Sequence, residues 1–341
     1  MKKGFASDNN AGISQQMIEA IRQVNQGHVA GYGDDQYTQQ AKALFQKEFG
    51  DDIDLYFVFN GTGANTLALT SITQPYNSIL CADSGHIQVD ECGAIEKSSG
   101  CKLIPVPSRD GKLFPEDIKK YLHGFGEQHH SQPGAISISQ VTEVGTLYSI
   151  DEIKAISSLA HEYGLLVHMD GARLANAAVA LNAPFRAFTR DAGIDVLSFG
   201  GTKNGMIMGE AVVFFRSAIA KNPVFVRKQA AQLFSKMRFI SAQFLAYFEN
   251  DLWKHNAETA NDMAQKLAEK IKEFPQITIS KPTQANGIFA TVEPQLLSKM
   301  QKELFFYIWD EDRNEARWMT SFDTTEEDID YFITTIRKLV N

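Results

Sequence analysis

The sequence lacks several features that identify whole classes of proteins. No apolar run approaches the ~20 residues that a membrane-spanning helix needs, and the first twelve residues, MKKGFASDNNAG, contain no apolar region of the signal-peptide type. There are only three cysteines, Cys81, Cys92 and Cys101, and none belongs to a CxxC pair. We therefore expect a cytoplasmic protein without membrane contact, whose thiols serve as small apolar side chains in a reducing compartment.

Clustered positive charge is scarce as well. Against 41 acidic residues the chain has 33 lysines and arginines, which gives a formal net charge of −8. Its basic residues form isolated pairs such as Lys119-Lys120, whereas a nucleic-acid-binding face needs a concentrated basic patch. We expect no nucleic-acid partner. The 341 residues and the ordinary apolar content of 44% indicate a soluble globular protein with two domains.

Seven short apolar runs alternate with helical patterns between residues 55 and 215. Most runs are continuously apolar, as is typical of strands covered on both faces. The alternation predicts an α/β fold with a mostly parallel central sheet sandwiched by helices; one helix is expected to begin near Ser149 and to end at Gly164. The runs are LYFVFN (55–60), SILCAD (78–83), CKLIPVP (101–107), AISISQ (135–140), LLVHMD (165–170), VLSFGG (196–201) and EAVVFF (210–215).

The pattern changes after residue 225. Residues 226–274 favour helix almost throughout and predict two helices or one bent helix, and Thr324 or Thr325 is expected to cap a final helix. Short strand candidates lie between these helices: TISKP (278–282), GIFATV (287–292), LFFYIW (304–309) and RWMTSF (317–322). The predicted units are an N-terminal arm (1–20), a large α/β domain (21–240) and a smaller α+β domain (241–341).

Polar motifs follow the ends of four predicted strands. Gly-Thr-Gly at 61–63 joins a strand to a helix, where N–H groups suit a phosphate, although a plain turn explains the pattern equally well. Asp170 ends LLVHMD, either as a carboxylate aimed at a cofactor ring nitrogen or as the cap of the next helix, and Arg173 follows it. His86 comes directly after SILCAD.

Lys203 lies in SFGGTKNG (198–205), among glycines and directly after a buried strand. A surface lysine on a turn is the ordinary explanation, but a partly buried lysine loses its charge readily and becomes a nucleophilic amine. An anion site, an imidazole, a carboxylate and such a lysine at one sheet edge are the set that pyridoxal 5′-phosphate requires. The combination predicts a pyridoxal-phosphate site without a metal ion.

The motifs resemble those of the fold-type-I pyridoxal-phosphate enzymes, and among them the threonine aldolase branch of the β-eliminating lyases. The resemblance extends from SDN at 7–9 to RWMTSFDTTEEDID at 317–330, and its motifs are GTGAN, HIQVDECGA, HMDGAR, SFGGTKNG and RKQAAQLFSKMRF. It implies a homodimer or homotetramer that cleaves L-threonine, L-allo-threonine and related 3-hydroxy amino acids by a retro-aldol reaction to glycine and an aldehyde.

The resemblance also implies roles for individual residues. Lys203 carries the cofactor, Asp170 pairs with its ring nitrogen, and His86 stacks on the ring and assists in deprotonating the substrate hydroxyl. The residues implied for binding the cofactor phosphate are Gly61, Thr62 and Gly63. Those implied for binding the substrate are Arg173, Arg317, Ser7 and the loop residue Tyr32, with Arg313 as the second choice for Arg317. Arg173, which is also implied in cofactor binding, and Lys228, supplied near the dimer interface, complete the cofactor-binding set.

Two segments depart from the pattern of many relatives. GYGDDQYTQQ (31–40) replaces a Tyr-Gly-acid-Pro-Thr segment, and SQVTEVG (139–145) replaces a Glu-Asn-Thr strand. They predict a divergent subgroup with a broad substrate pocket. β-Elimination and transamination use the same lysine, aspartate and phosphate site and stay open, as do a non-catalytic protein of this fold and an α/β enzyme that uses Lys203 as a simple charge.

Overall fold

A computed structural model of the protein describes residues 3–340. Its strands are β1 (Asp54–Val58), β2 (Asn77–Ala82), β3 (Lys102–Val106), β4 (Gln132–Ser139), β5 (Leu166–Gly171), β6 (Val196–Gly200), β7 (Glu210–Phe214), β8 (Ile277–Ile279), β9 (Gly287–Val292), β10 (Tyr307–Asp310) and β11 (Glu315–Met319). Its α-helices are α1 (Gln15–Val24), α2 (Gln36–Phe49), α3 (Gly61–Ile72), α4 (His86–Val89), α5 (Ala94–Ser99), α6 (Pro115–Ile118), α7 (Ile150–Glu162), α8 (Leu174–Leu181), α9 (Pro223–Gln229), α10 (Arg238–Phe248), α11 (Leu252–Ile271), α12 (Pro294–Glu303) and α13 (Glu326–Val340).

The first seven strands form one sheet in the order β1-β7-β6-β5-β4-β2-β3. Strand β7 is antiparallel to both of its neighbours, and the other pairs are parallel, so six strands run in one direction. All seven predicted strands are present. The prediction of a mostly parallel α/β sheet is confirmed.

Helices cover both faces of this sheet, which explains why its strands are continuously apolar. Along β2, Leu80 and Ala82 face the core formed with α2, α7 and α10, whereas Ile79 and Cys81 face the core formed with α3 and α5. Successive side chains of a strand point to opposite faces, so a strand buried on both sides has no polar alternation. The helix predicted from Ser149 is α7, and Ser149 caps it together with Glu152.

The remaining four strands form a second, fully antiparallel sheet in the order β10-β11-β9-β8. Trp318 and Phe332 are buried in the core that this sheet forms with α11, α12 and α13. Phe5 of the N-terminal segment packs on Phe332, with 4.9 Å between the two ring centres. Thr325 caps α13 through reciprocal hydrogen bonds with Asp328. The smaller α+β unit is therefore present, while the boundaries proposed at residues 20 and 240 stay predictions.

The prediction of two helices or one bent helix over 226–274 is wrong, because three helices, α9, α10 and α11, cover this region. Ala231 follows α9 with a left-handed backbone (φ 58°), and Asn250 and Asp251 separate α10 from α11 with φ of 50° and 56°. An α-helix cannot continue through such residues. Within residues 3–340, none of the helices combines the length and the hydropathy required to cross a bilayer.

Candidate active site

A cavity of about 470 Å³ opens at the edge where the six parallel strands end. Ligand sites of open α/β sheets lie at this edge. The predicted site residues that line the cavity are Gly61, Thr62, His86, Asp170 and Lys203. The structure thus brings together four motifs that lie up to 142 positions apart in the chain, counted from Gly61 to Lys203.

The glycines around Lys203 are needed to hold its turn against the sheet. A Cβ on Gly200 would lie 2.5 Å from the carbonyl oxygen of Ala172, and Gly205 has a left-handed backbone with φ of 101°. Between them Thr202–Asn204 form a short 3₁₀ helix. The Asn204 side chain donates a hydrogen bond of 2.9 Å to the carbonyl oxygen of Trp253, which fixes the turn that presents Lys203 to the cavity.

Asp170 is a buried carboxylate at the end of β5. Its Oδ2 accepts a hydrogen bond from Asn65 Nδ2 at 2.8 Å, and its Oδ1 accepts one from the Ala172 N–H at 3.0 Å. Burial opposes ionisation of Asp170, but the hydrogen bond from Asn65, together with smaller effects of His86 and of the Ala172 N–H, favours the anion and lowers the pKa. Helix α8 begins at Leu174 with Arg173 at the capping position, so the interpretation of Asp170 as its cap is wrong.

His168 lies beneath Asp170, two residues earlier on the same strand. It is buried between the hydroxyls of Ser137 and Ser198, at 2.9 Å from each. Burial lowers the pKa of His168 to about 4, so the imidazole is neutral near pH 7. Asp170 is therefore left as an anion whose free lone pairs suit a protonated ring nitrogen.

His86 and Asp170 are connected through two residues that were not assigned this role from the sequence. Glu91, which is buried, accepts a hydrogen bond of 2.7 Å from Asn65 Nδ2 and lies 2.8 Å from His86 Nδ1. The hydrogen bond with Glu91 raises the pKa of His86, with smaller contributions from other acidic groups. Asn65 thus bridges the two carboxylates through one amide nitrogen. Both residues lie inside the motifs GTGAN and HIQVDECGA, which was the available signal.

The Gly-Thr-Gly turn forms the first turn of α3, a helix of 12 residues. The Gly63 N–H donates to the capping Asn60 Oδ1 at 2.8 Å, and a Cβ on Gly63 would collide with Gln232. Gly61 and Thr62 line the cavity, and their N–H groups precede the first intrahelical hydrogen bond. The N–H groups of this turn that are open to an anion are therefore those of Gly61 and Thr62, while Gly63 allows close packing.

Neither Arg173 nor Arg317 belongs to the cavity wall, but both lie close enough to Glu143 of that wall to interact with its charge, and they have different partners. Arg173 donates from Nε and Nη2 to both oxygens of Asp8, at 2.7 and 2.9 Å. Arg317 Nη2 donates a hydrogen bond of 3.4 Å to the Ala6 carbonyl oxygen, and its guanidinium lies 5.0 Å from the centre of the Trp309 ring. The buried Nε of Arg317 has no hydrogen-bond partner among residues 3–340. Burial and the charge of Arg173 lower the pKa of Arg317. Ser7 lies beside this pair and caps the 3₁₀ turn that carries Asp8.

The other predicted residues lie away from the cavity. The ammonium of Lys228 lies 5.6 Å from the centre of the Tyr32 ring, and neither side chain belongs to the cavity wall. Tyr32 is half exposed. Arg313, the second choice for the C-terminal arginine, lies in the turn between β10 and β11 with its side chain 72% exposed and 3.5 Å from Asp310. The geometry therefore favours Arg317.

Comparisons with known proteins agree with this arrangement. The chain is 42% identical to a low specificity L-threonine aldolase of a Pseudomonas species over 99% of this chain and 98% of the relative. It is 41% identical to the low specificity L-threonine aldolase of Pseudomonas aeruginosa, with coverage of 95% and 94%. A solved structure of Leishmania major threonine aldolase superposes with a TM-score of 0.93 at 28% identity, covering 99% of each chain. Since the family model described as beta-eliminating lyase matches residues 4–294, the chain belongs to the beta-eliminating lyase family.

Proposed function

We propose that the protein is a pyridoxal-phosphate-dependent aldehyde-lyase that cleaves L-threonine, L-allo-threonine and related 3-hydroxy amino acids to glycine and an aldehyde. One observation carries this proposal: Lys203, the Asp170 anion and the imidazole of His86 share one cavity wall. Two arginines, Arg173 after β5 and Arg317 on β11 of the second sheet, suit the substrate carboxylate. The names of the relatives, low specificity L-threonine aldolase, support the same reaction.

The cavity suits the cofactor at three points. A Cβ built on Gly61 meets no atom within 4 Å, so a phosphate has room over the N–H groups of Gly61 and Thr62. Asp170 would face the ring nitrogen, and Lys203 would bind the aldehyde carbon. When bound, pyridoxal phosphate supplies a carbonyl for the substrate amine and a ring that accepts the electrons of a breaking bond.

His86 is the residue that we assign to the substrate hydroxyl. Glu91 accepts a hydrogen bond from Nδ1, so the proton of the neutral imidazole lies on Nδ1 and Nε2 is left as the acceptor. Nε2 takes the hydroxyl proton while the Cα–Cβ bond breaks, and the hydroxyl oxygen becomes the aldehyde oxygen. Cα then takes up a proton, and glycine forms. Atoms and charge balance without an oxidant.

The arginines orient the substrate. The buried Nε of Arg317 has no hydrogen-bond partner among residues 3–340. Asp8 binds Nε and Nη2 of Arg173, so Nη1 is the nitrogen of Arg173 that is left for the substrate. A substrate carboxylate held by both cations fixes which Cα bond stands perpendicular to the cofactor ring. Carboxylate binding therefore controls the reaction path as well as the affinity.

The active unit is proposed to be a homodimer or homotetramer in the cytoplasm. Tyr32 and Lys228, which are assigned to substrate and cofactor binding, lie together outside the cavity of their own chain. Helix α9 also exposes Val224 and Phe225 beside Lys228, and exposed apolar side chains of this size are typical of an interface. The three cysteines are free, which suits a reducing compartment.

The reaction is tested by product analysis. Purified protein with bound cofactor is incubated with L-threonine, L-allo-threonine and L-phenylserine, and glycine, the aldehydes, 2-oxo acids and ammonia are measured separately. Glycine with an equal amount of the matching aldehyde supports the proposal, and turnover of all three substrates supports a broad pocket. 2-Oxobutyrate with ammonia would identify an eliminase and overturn the aldolase assignment.

A further inference from the structure

Glu210 is a buried carboxyl group in the cavity wall to which neither the sequence motifs nor the proposed reaction gives a role. It is the first residue of β7, paired with Val58 of β1 and with Gly200 of β6. Because β7 runs against its neighbours, its first residue lies where theirs end. The side chain, with the residue only 6% exposed, lines the same cavity as Lys203.

The carboxylate is attached to the turn that carries Lys203. Oε2 of Glu210 accepts a hydrogen bond of 2.7 Å from the N–H of Gly201, which is the capping residue of the 3₁₀ turn Thr202–Asn204. A side chain that is hydrogen-bonded to the start of this turn restricts the position from which Lys203 enters the cavity. Glu210 is therefore placed to act on Lys203 by geometry and by charge.

The charged and titratable groups around this pair come from several elements. Lys203 is the cation whose charge acts on Glu210, and the charge of Glu210 contributes to the raised pKa of Tyr247, a buried phenol of α10. The charge of Lys203 also contributes to the lowered pKa of a second acid, Asp8. The other ionisable groups of the cavity wall are His86, Glu91, Glu143 and Asp170. Burial raises the pKa of Glu210 to about 7, while the hydrogen bond from the Gly201 N–H and the charge of Lys203 oppose the rise.

We propose that Glu210 is a positioning residue that holds the turn of Lys203 and, through its negative charge, stabilises the protonated form of the lysine nitrogen. A carboxylate without this counter-charge would be costly to keep in the cavity wall. If the aldehyde carbon of the cofactor is bound to this nitrogen, a positive charge on the nitrogen would make that carbon a better target for the substrate amine. This inference rests on the proposed function, because it concerns the lysine that would bind the cofactor.

The charge effect is tested in the holoenzyme by titrating the long-wavelength absorbance band of the bound cofactor with pH. Glu210→Gln removes the charge but keeps an oxygen that accepts the Gly201 hydrogen bond, so the turn is retained. The midpoint is expected to fall by about 1 pH unit, since a nearby opposite charge favours the charged form by this amount or more. An unchanged midpoint would overturn the proposal.

Glu143→Gln is the matched control, since it removes a carboxylate of the same cavity whose charge acts on His86, Arg173 and Arg317. The proposal requires a clearly smaller shift of the midpoint in this variant than in Glu210→Gln. Equal shifts would mean that the lysine nitrogen responds to the total charge of the cavity and would contradict a particular role of Glu210.

A reciprocal measurement needs no cofactor. In Lys203→Ala, loss of the cation should raise the pH at which the Glu210 carboxyl ionises. Difference infrared spectroscopy detects the protonated carboxyl as a band. The double variant Lys203→Ala/Glu210→Gln, which lacks this carboxyl, identifies the band by its absence. A band that titrates in Lys203→Ala as it does in wild type would overturn the inference. This outcome can be obtained even if Glu210→Gln does not fold. If wild type shows no borohydride-sensitive absorbance at Lys203, the proposed function fails, whereas the infrared titration still decides whether the charges are coupled.

Discussion

Asp8 and Arg173 form a buried ion pair in which both carboxylate oxygens accept hydrogen bonds, at 2.7 Å from Nε and 2.9 Å from Nη2 of the arginine. Asn286 donates a third hydrogen bond to Asp8 at 3.0 Å. The N-terminal segment is thereby joined to the loop after β5 and to the start of β9. Arg173, which is proposed to bind the substrate, is therefore held by the segment before α1.

Removal of one partner from this pair should cost much stability. Asp8→Ala leaves Arg173 as a buried cation without its counter-charge, and such losses cost about 3–5 kcal/mol. Asp191→Ala removes an exposed partner of Arg186 and should cost at most about 1 kcal/mol. Chemical denaturation of both variants measures the two costs. Equal and small values would show that Arg173 is compensated by other groups.

The ion pair of Asp8 and Arg173 should also change how the free energy of unfolding depends on pH in acid. Burial of Asp8 opposes its ionisation, but the charge and the hydrogen bonds of Arg173 outweigh burial and lower the pKa from 3.8 to about 2. A carboxyl group with a lowered pKa in the folded state stabilises the protein fully above its unfolded pKa, and this contribution is lost as the pH falls. Wild type should therefore lose more free energy of unfolding between about pH 4 and pH 2 than Asp8→Ala does.

Arg317 should act mainly on substrate affinity. Arg317→Met keeps an unbranched apolar side chain but removes the guanidinium, whose carbon lies 5.0 Å from the centre of the Trp309 ring. KM for L-threonine should rise roughly 10- to 100-fold, because charged hydrogen bonds contribute about 1.5–3 kcal/mol. Arg313→Met removes the exposed arginine nearby and should leave KM within about twofold. The reverse order of the two effects would transfer carboxylate binding to Arg313.

The sequence predicted the sheet and the lysine because their causes are local. Continuous apolar runs define strands buried on both faces, and the glycines beside Lys203 reflect the close approach of Gly200 to Ala172. The direction of β7 had no local signal, since EAVVFF reads the same for a parallel or an antiparallel strand. Glu210 was therefore read as the start of a strand rather than as part of the site.

Polar partners far apart in the sequence were missed for a different reason. Asp8 lies 165 positions from Arg173, and Asn65 lies 105 positions from Asp170. Such pairs depend on how the loops at one sheet edge are arranged in the folded protein, and the hydrophobic periodicity of the sequence does not predict this arrangement. The left-handed residue Ala231, which ends α9, is equally unpredictable, because alanine normally favours helix.

Asp170 should be essential for turnover and nearly neutral for folding. Asp170→Asn keeps the shape of the side chain but removes the negative charge opposite the ring nitrogen, so kcat should fall at least about 100-fold with little change in Tm. Asp195→Asn is the matched control, since Asp195 is another buried acid and is bound to His161, Arg216 and the Val167 N–H. It should lower Tm while the folded protein keeps its kcat. Near-normal kcat in Asp170→Asn would remove Asp170 from the mechanism.

Glu91 should set the pH range in which His86 works. The hydrogen bond with Glu91 raises the pKa of His86, and a base must be unprotonated to accept the hydroxyl proton. In Glu91→Gln the pKa of His86 should fall, so the acid limb of the kcat profile should move to lower pH by about 1 unit.

Glu96→Gln makes the same change on α5, outside the cavity wall, and should leave the limb in place. If His86 served only to stack on the cofactor, Glu91→Gln would raise KM while the acid limb stayed where it is in wild type. A shift of the limb to higher pH would contradict the proposed direction of the charge effect. The pH profile of kcat, measured separately from KM, therefore distinguishes a base from a stacking residue.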